Sequence, residues 1–241
     1  MPRSGSSGPR TAATIQWVPD GPAVPVELLE ALEDGDLVLF CGAGISARAG
    51  LPTFKGLVEA VRSSFVDKHP ELDVLIQTAQ YDRAMYALEV SYGREPVRRK
   101  VHDLLQLSPT ADCTTHEALL RLATDREGNL RCVTTNFDLA FESKRPDLPM
   151  DCAPKLPIPK KERWNSLVYM HGRLSTPDNH VSNHLVLSSA DFGLAYLTER
   201  WASRFITELF RRFKVLFLGY SADDPVMRYM LDAFEIGRAH V

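Results

Sequence analysis

The sequence lacks the features that would place it in several large classes of protein. No apolar run approaches the roughly 20 residues needed to span a bilayer, so we expect no membrane association. The first residues contain no apolar segment of the secretory type; residues 1–22 are small, polar and turn-rich, which predicts a disordered tail. The 28 basic and 31 acidic residues give a formal net charge of −3, which offers no electrostatic reason to expect direct nucleic-acid binding.

Paired cysteines are also missing. The four cysteines lie far apart, with no CxxC pair: Cys41, Cys113, Cys132 and Cys152. Two of them sit within apolar runs, where a free cysteine behaves as a small hydrophobic residue. Because nothing suggests a disulfide framework, a reducing cytoplasm is the expected location.

The histidines give only a weak metal signal. His180 and His184 have the H-x₃-H spacing of half a zinc site, but no cysteine pair accompanies them, so a polar loop is the preferred interpretation and no metal is expected. His116, in "TTHEALLRL", falls on a predicted helix and is assigned a packing role.

The length of the chain and its C-terminal residues indicate where the predicted domain begins and ends. With 241 residues, 44% of them hydrophobic, the chain predicts one sizeable core. The final stretch "EIGRAHV", residues 235–241, interrupts an amphipathic helix and resembles a translated sequencing adaptor, so it is excluded from fold reasoning. We therefore expect a domain over residues 23–234 and a natural protein that continues beyond Phe234.

Strand-like and helix-like segments alternate along the chain. Apolar runs predict strands at Leu37–Phe40, Arg131–Thr135, Leu167–Met170, Leu185–Leu187 and Val215–Leu218. Residues from about 56 to 107 show helical spacing instead, and a later helix carries an apolar stripe at Trp201, Phe205, Leu209 and Phe213. The pattern predicts an α/β fold: a Rossmann-like, doubly wound and mostly parallel sheet with a helical insertion.

A glycine-rich turn follows the first predicted strand. "LVLFCGAGISARAG" fits G-x-G-x-x-G/A at Gly42, Gly44 and Ala47. Glycines at such a turn let backbone N–H groups approach a pyrophosphate, with a helix N-terminus behind them. The dehydrogenase version requires a second strand with an acidic residue about 20 positions on, and here that region is helical. The turn therefore suggests a dinucleotide without suggesting hydride transfer.

Polar side chains follow a second buried strand. "RCVTTNFD" ends in Asn136 and Asp138, where ligands bind in open α/β sheets. Asn and Asp are equally suited to capping a helix that begins at Leu139. This stretch alone does not distinguish a catalytic pocket from an ordinary cap.

Four motifs, in order, resemble the sirtuin superfamily. "GAGISARAGLPTFKG" is similar to its cofactor loop, "TTNFD" to its Thr-Gln-Asn-(Ile/Val)-Asp element, "YMHG" to its His-Gly element and "FLGYSADDP" to its Gly-(Thr/Tyr)-Ser element. The resemblance spans about Leu37 to Phe234. It implies that NAD binds as the substrate whose nicotinamide–ribose bond is cleaved.

The resemblance also implies a role for each matching residue. Asn136 would hold ribose hydroxyls and orient water, Asp138 would bind the nicotinamide carboxamide, and His171 would act as general base with a pKa near neutrality. The remaining cofactor contacts would come from the glycine-rich loop, a flap over the nicotinamide and the last motif: Gly42, Ala43, Gly44, Ser46, Pro52, Thr53, Phe54, Gly219 and Ser221.

Each assignment has a simpler alternative. Ser46 would merely cap a helix, Pro52–Phe54 would form a rigid turn with a core phenylalanine, and His171 would be a strand-end histidine bonded to backbone. Asp224-Pro225 is sufficiently explained as an N-cap followed by proline at the first helical position. Lys55 stands where the family usually has arginine, which leaves that contact open.

The chain departs from the protein deacylases of the family. Between Gly172 and the next predicted strand there is only "RLSTPDNHVSN", too short for their Cys₄ zinc ribbon. The helical insertion and the later motifs resemble instead the bacterial sirtuin-like branch of antiphage defence proteins, which implies an NAD⁺ hydrolase producing nicotinamide and ADP-ribose. Protein deacylation or ADP-ribosyl transfer, and a non-catalytic module that binds NAD or ADP-ribose, remain the alternatives. A homo-oligomer or a C-terminal sensor region is the expected partner.

Overall fold

A five-stranded parallel sheet lies at the centre of the molecule. The computed structural model describes residues 13–66, 69–174, 184–221 and 226–230. The strands of this sheet are β3 (Leu37–Cys41), β4 (Arg131–Thr134), β5 (Met150–Cys152), β6 (Ser166–Tyr169) and β7 (Lys214–Leu218). Their order across the sheet is β5-β6-β4-β3-β7, and every neighbouring pair is parallel.

The middle strands are buried on both faces, which explains their unbroken apolar sequence. In β3, Val38 and Phe40 face a core shared with the later helices, whereas Leu37, Leu39 and Cys41 face a second core. Because successive side chains of a strand point to opposite faces, one strand supplies both cores.

Helices cover both faces of the sheet. The α-helices are α1 (Val26–Glu33), α2 (Phe54–Ser63), α3 (Pro70–Gln77), α4 (Tyr81–Tyr92), α5 (Arg94–Leu104), α6 (Thr114–Leu122), α7 (Ala140–Lys144), α8 (Ser189–Phe192) and α9 (Trp201–Arg212). A 3₁₀ helix spans Ala43–Ala49, a π-helix spans Gly193–Thr198, and residues 226–230 are helical. Helix α9 packs its predicted stripe into one core, and α1 and α6 pack on the other face. The predicted Rossmann-like α/β fold is confirmed.

Helices α2 to α5 occupy the stretch predicted as a helical insertion. They build a core of their own, around Leu57, Met85 and Leu88. Phe137 and Leu187, from the segments that follow β4 and precede α8, pack into the same core. The helical layer therefore lies directly against the carboxyl-terminal side of the sheet.

Several local predictions were wrong. Leu185–Leu187 is buried but is not a strand. The Leu187 N–H donates to the Asp191 side chain, and the Val186 N–H donates to His171 O, so the segment does not form a strand ladder. The edge strand β5 was not predicted. Thr14–Ile15, inside the stretch predicted as a disordered tail, form β1, which pairs with β2 (Val24–Pro25) beyond that stretch.

Other predictions fall wholly or partly outside the described residues. Among them are the remainder of the N-terminal tail (residues 1–12), the Asp224-Pro225 cap and the adaptor-like end at residues 235–241. In the part of the chain that the structure describes, no helix is both long and apolar enough to cross a membrane.

Candidate functional site

The four sequence motifs meet at one edge of the sheet. Gly42 follows β3, Thr135 follows β4, Met170 and His171 follow β6, and Gly219 follows β7. These four strands are neighbours, and all of them run in the same direction. Ligands of open α/β sheets bind at the carboxyl ends of such strands, where the connections diverge.

A cleft opens at this edge, between the sheet and the helical layer. It encloses about 510 Å³ of empty space, part of which is open to solvent. Its walls are formed by Ala43, Pro52, Phe54, Leu57, Leu105, Thr135, Asn136, Phe137, Asp138, His171, Val186, Phe192 and Val226. Asn136 and His171 therefore border the same space.

Ser46 holds the polar groups of the cleft from behind. Its hydroxyl donates to Asp138 Oδ2 at 3.0 Å and accepts from Asn136 Nδ2 at 3.1 Å. The same oxygen lies 3.1 Å from His116 Nε2. Ser46 sits inside the 3₁₀ helix and caps no helix end with its side chain, so the capping alternative was wrong. It is buried behind Asn136 and does not face the cleft itself.

The donors around Ser46 fix the state of His116. A serine hydroxyl donates one hydrogen bond, and with Asp138 ionised that bond goes to the carboxylate. Asn136 Nδ2 and His116 Nε2 must therefore both donate to the Ser46 oxygen. His116 therefore carries its proton on Nε2. Its Nδ1 is buried without a hydrogen-bond partner, and burial lowers the pKa of His116 to about 4, aided by the positive charge of Lys144. His116 is neutral and donates.

This contribution of His116 was not predicted from the sequence. Its position on α6 does show packing, against the ring of Phe141. The bond to Ser46 depends on how α6 approaches the 3₁₀ helix, which no local sequence pattern records. Because Ser46 and His116 are 70 residues apart, their spacing in the sequence does not indicate that they are in contact.

Asp138 serves the backbone as well as Ser46. Its Oδ1 accepts the N–H of Ala140, the first residue of α7, at 3.1 Å, although the N-cap of that helix is Leu139 and carries no side-chain cap. Burial raises the pKa of Asp138, while the hydrogen bonds from Ala140 and Ser46 act to lower it. Asn136 does not cap α7 either. Its backbone N–H bonds to Thr134 Oγ1 and its side chain to Ser46.

His171 is held in an apolar, aromatic environment. Its Nε2 lies 2.9 Å from the Tyr196 hydroxyl, and the edge of its ring meets Phe192. Burial lowers the pKa of His171 to about 3, and the negative charge of Asp191 opposes this only in part. The expected pKa near neutrality was therefore wrong, because the residue is only 1% exposed. The ring is neutral at physiological pH.

The glycine-rich loop is packed against the chain's own backbone. Gly42 N–H donates to Leu218 O, and Gly44 N–H donates to Gly219 O, each at 2.8 Å. A side chain at Gly42 would meet the Tyr220 ring at 2.7 Å, and one at Gly44 would meet Gly219 at 2.8 Å. These glycines are thus required by internal packing. The expected cradle of free N–H donors is not formed at these two amides in this conformation.

The flap residues divide between the cleft and the helix behind it. Pro52 and Phe54 line the cleft, and Phe54 also meets Tyr81 of the helical layer edge to face. Thr53 Oγ1 accepts the Gly56 N–H and caps α2. Lys55 points to solvent, near Glu59. Thr53 therefore caps a helix, while its neighbours Pro52 and Phe54 border the cleft.

The last motif lies beside the glycine-rich loop. Gly219 adopts a positive φ of 74° and abuts Gly44. Ser221 is exposed and does not line the cleft. His184 is also exposed, and its predicted partner His180 lies outside the described residues. Across the ranges that the structure describes, no cluster of three or more His, Cys, Asp or Glu side chains is arranged to hold a metal ion.

Comparisons with known proteins find similar sequences over most of the chain. The family described as the SIR2-like domain matches residues 131–239. The chain is 34% identical over 226 residues to the uncharacterized protein y4cA of Sinorhizobium fredii (strain NBRC 101917 / NGR234), covering 89% of this chain and 19% of that protein.

Two further relatives are both named NAD(+) hydrolase ThsA. The protein from Acinetobacter baumannii (strain 532279) is 27% identical, with 87% of this chain and 41% of the relative aligned. The protein from Cytobacillus dafuensis is 26% identical, with 89% and 42% aligned. The chain thus spans about two fifths of these two relatives and about a fifth of the first. Residues 131–239 thus match the SIR2-like domain, and most of the chain is similar to two proteins named as NAD(+) hydrolases.

Proposed function

We propose that this domain is an NAD⁺ hydrolase that cleaves the nicotinamide–ribose bond to give nicotinamide and ADP-ribose. The observation that carries the proposal is the shared cleft: Asn136 and His171, 35 residues apart in the sequence, border one space at the carboxyl ends of adjacent strands. The names of the two ThsA relatives support the same activity. On the resemblance of its motifs to the sirtuin-like branch of antiphage defence proteins, we also propose that the reaction serves antiphage defence.

The reaction makes a specific demand on the site. The C–N bond to the ribose breaks, its electron pair leaves with the nicotinamide, and positive charge develops on the sugar, much as in glycoside hydrolysis. The oxygen of a water molecule then bonds to the ribose carbon and its proton is released. NAD⁺ and water therefore give nicotinamide, ADP-ribose and a proton. The site must hold the sugar, place water and take up that proton transiently.

Asn136 fits the task of holding the sugar. Its Nδ2 is committed to Ser46, which fixes the amide plane and leaves the side-chain oxygen to accept from a ribose hydroxyl. An amide does this without placing a full counter-charge beside the sugar. Asp138 borders the same cleft, and its carboxylate oxygens have lone pairs left to accept the N–H₂ of the nicotinamide carboxamide.

His171 fits the task of a transient base. Because burial keeps its ring neutral, a lone pair is available at every physiological pH. With a pKa of about 3 the ring is a weak base, well below the operating pH at which general-base catalysis is most effective, so it holds the proton only transiently. The apolar wall formed by Phe54, Val186 and Phe192 surrounds this chemistry and limits the water that reaches it.

The test is nicotinamide release from NAD⁺ by the whole protein, with and without an acetylated peptide. We expect release without peptide, and a loss of about 10²- to 10⁴-fold in Asn136→Ala and in His171→Ala. His102→Ala, which removes a partly exposed histidine on α5, is the matched control and should keep the wild-type rate. Peptide-dependent release would favour a deacylase, and NAD binding without turnover would favour a non-catalytic module.

A further inference from the structure

The ring of His171 is oriented by a single side chain. The only hydrogen bond that its imidazole makes within the described residues joins Nε2 to the Tyr196 hydroxyl at 2.9 Å. Both residues are almost fully buried, at 1% and 3% exposure. Nδ1 makes no hydrogen bond there, and His171 borders the cleft, so Nδ1 is the nitrogen left for a ligand.

The usual orienting group for a catalytic histidine is a carboxylate, and Asp191, whose charge acts on His171, is committed elsewhere. Asp191 Oδ2 accepts from Arg98 at 2.6 Å and from the backbone and hydroxyl of Ser188, each at 3.0 Å. Asp191 Oδ1 accepts from Arg94 at 2.6 Å. Its charge therefore reaches His171 only from a distance.

An irregular helix places Tyr196 against the histidine. Gly193–Thr198 forms a π-helix directly after α8, a geometry that recurs at functional sites. Within it, Ala195 and Tyr196 are buried while Leu194 and Leu197 are 48% and 61% exposed. The hydroxyl of Ser203, on α9, donates to Tyr196 O at 3.0 Å and ties this turn to the next helix. Tyr196 is thus held in place by both of its neighbouring elements.

We propose that Tyr196 is the positioning residue of His171. Its hydroxyl oxygen accepts a hydrogen bond from Nε2–H, and this keeps Nδ1 unprotonated where it faces the cleft. Imidazole has two neutral tautomers, and the partner of one nitrogen decides which is populated. If Tyr196 donated to Nε2, Nδ1 would carry the proton, and neither nitrogen would be free to accept one from water. This proposal rests on the proposed function, because it takes His171 as the base.

The experiment is ¹⁵N NMR of the whole protein labelled in its histidine rings, near pH 7, where His171 is neutral. Nitrogen shifts separate the two tautomers, and the His171→Asn variant assigns the signals. In the wild type we expect the proton on Nε2, and in Tyr196→Phe a mixture of both tautomers. Nicotinamide release should fall by at least about tenfold in kcat, because a placed base contributes about 10²–10⁴-fold, with KM changed much less.

Tyr229→Phe is the matched control. It removes a hydroxyl from the same aromatic cluster, since Tyr229 stacks on Phe192, but this hydroxyl donates to Asp82 and not to His171. We expect the His171 tautomer to stay as in the wild type.

Two results would overturn the proposal: a wild-type His171 protonated on Nδ1, or a Tyr196→Phe protein with the wild-type tautomer. If the tautomers behave as expected and the wild type releases no nicotinamide, the positioning stands and the proposed function fails.

Discussion

At the scale of single residues, the site depends on one serine hydroxyl. Ser46 joins His116 on α6 to Asn136 and Asp138, which both follow β4. Sequence motifs identified two of these partners, because Asn136 and Asp138 follow an obvious strand. His116 and Tyr196 gave no such signal, since both sit on helices where an aromatic ring is well explained by packing alone. Their contacts arise only when distant elements meet.

The two buried histidines make the stability of the fold depend on pH. The pKa is about 4 for His116 and about 3 for His171, against about 6.5 in an unfolded chain. Between those values the unfolded state binds more protons than the native state, so the free energy of unfolding falls as pH drops. Asp138 acts in the opposite sense, because its raised pKa lets the native state take up a proton first.

His116→Gln isolates the contribution of His116 to this pH dependence. Glutamine keeps a donor for Ser46 and does not titrate, so the loss of unfolding free energy between pH 7 and pH 5 should shrink by about 2 kcal/mol. Urea unfolding at the two pH values measures this difference. His102→Gln, the partly exposed control on α5, should leave the loss unchanged. An equal loss in His116→Gln and the wild type would contradict the neutral, buried state of His116.

At the scale of elements, a buried ion network joins the helical layer to the wall of the cleft. Arg98 on α5 is fully buried and bonds to Glu89 on α4 at 2.9 Å, Asp191 on α8 at 2.6 Å and Leu185 O at 3.1 Å. This network explains why Leu185–Leu187 is not a strand. Its apolar residues predicted one, but the buried Asp191 carboxylate takes the N–H of Leu187, a preference that only the folded partners reveal.

Arg98→Met tests how much that network contributes to the free energy of unfolding. The change leaves Glu89 and Asp191 buried with only the half-exposed Arg94 to neutralise them, so we expect a loss of about 3–5 kcal/mol in the free energy of unfolding. Arg99→Met is the matched control on the same helix, because Arg99 is exposed and pairs only with exposed Glu95. Its effect should stay within about 0.5 kcal/mol. Equal losses in the two variants would contradict a buried network that holds the wall.

At the scale of the whole molecule, topology brings the motifs together. The four motifs occupy the carboxyl ends of β6, β4, β3 and β7, which are adjacent in the sheet. Strands β3 and β7 pair with each other although they are the first and last strands of this sheet along the chain. Alternating strands and helices made this arrangement predictable, because parallel strands share one carboxyl edge. The packing of Tyr220 over Gly42 was not predictable, since a glycine fits a close side chain as well as a close phosphate.

The central claim is that Asn136 and His171 act together on one sugar. The most direct measurement is nicotinamide release by the whole protein carrying Asn136→Ala, His171→Ala, or both. Residues that act as a unit show strongly non-additive losses, so the double variant should be no more than about tenfold slower than the slower single variant. Single losses that multiply in the double variant, or single variants that keep the wild-type rate, would contradict the account.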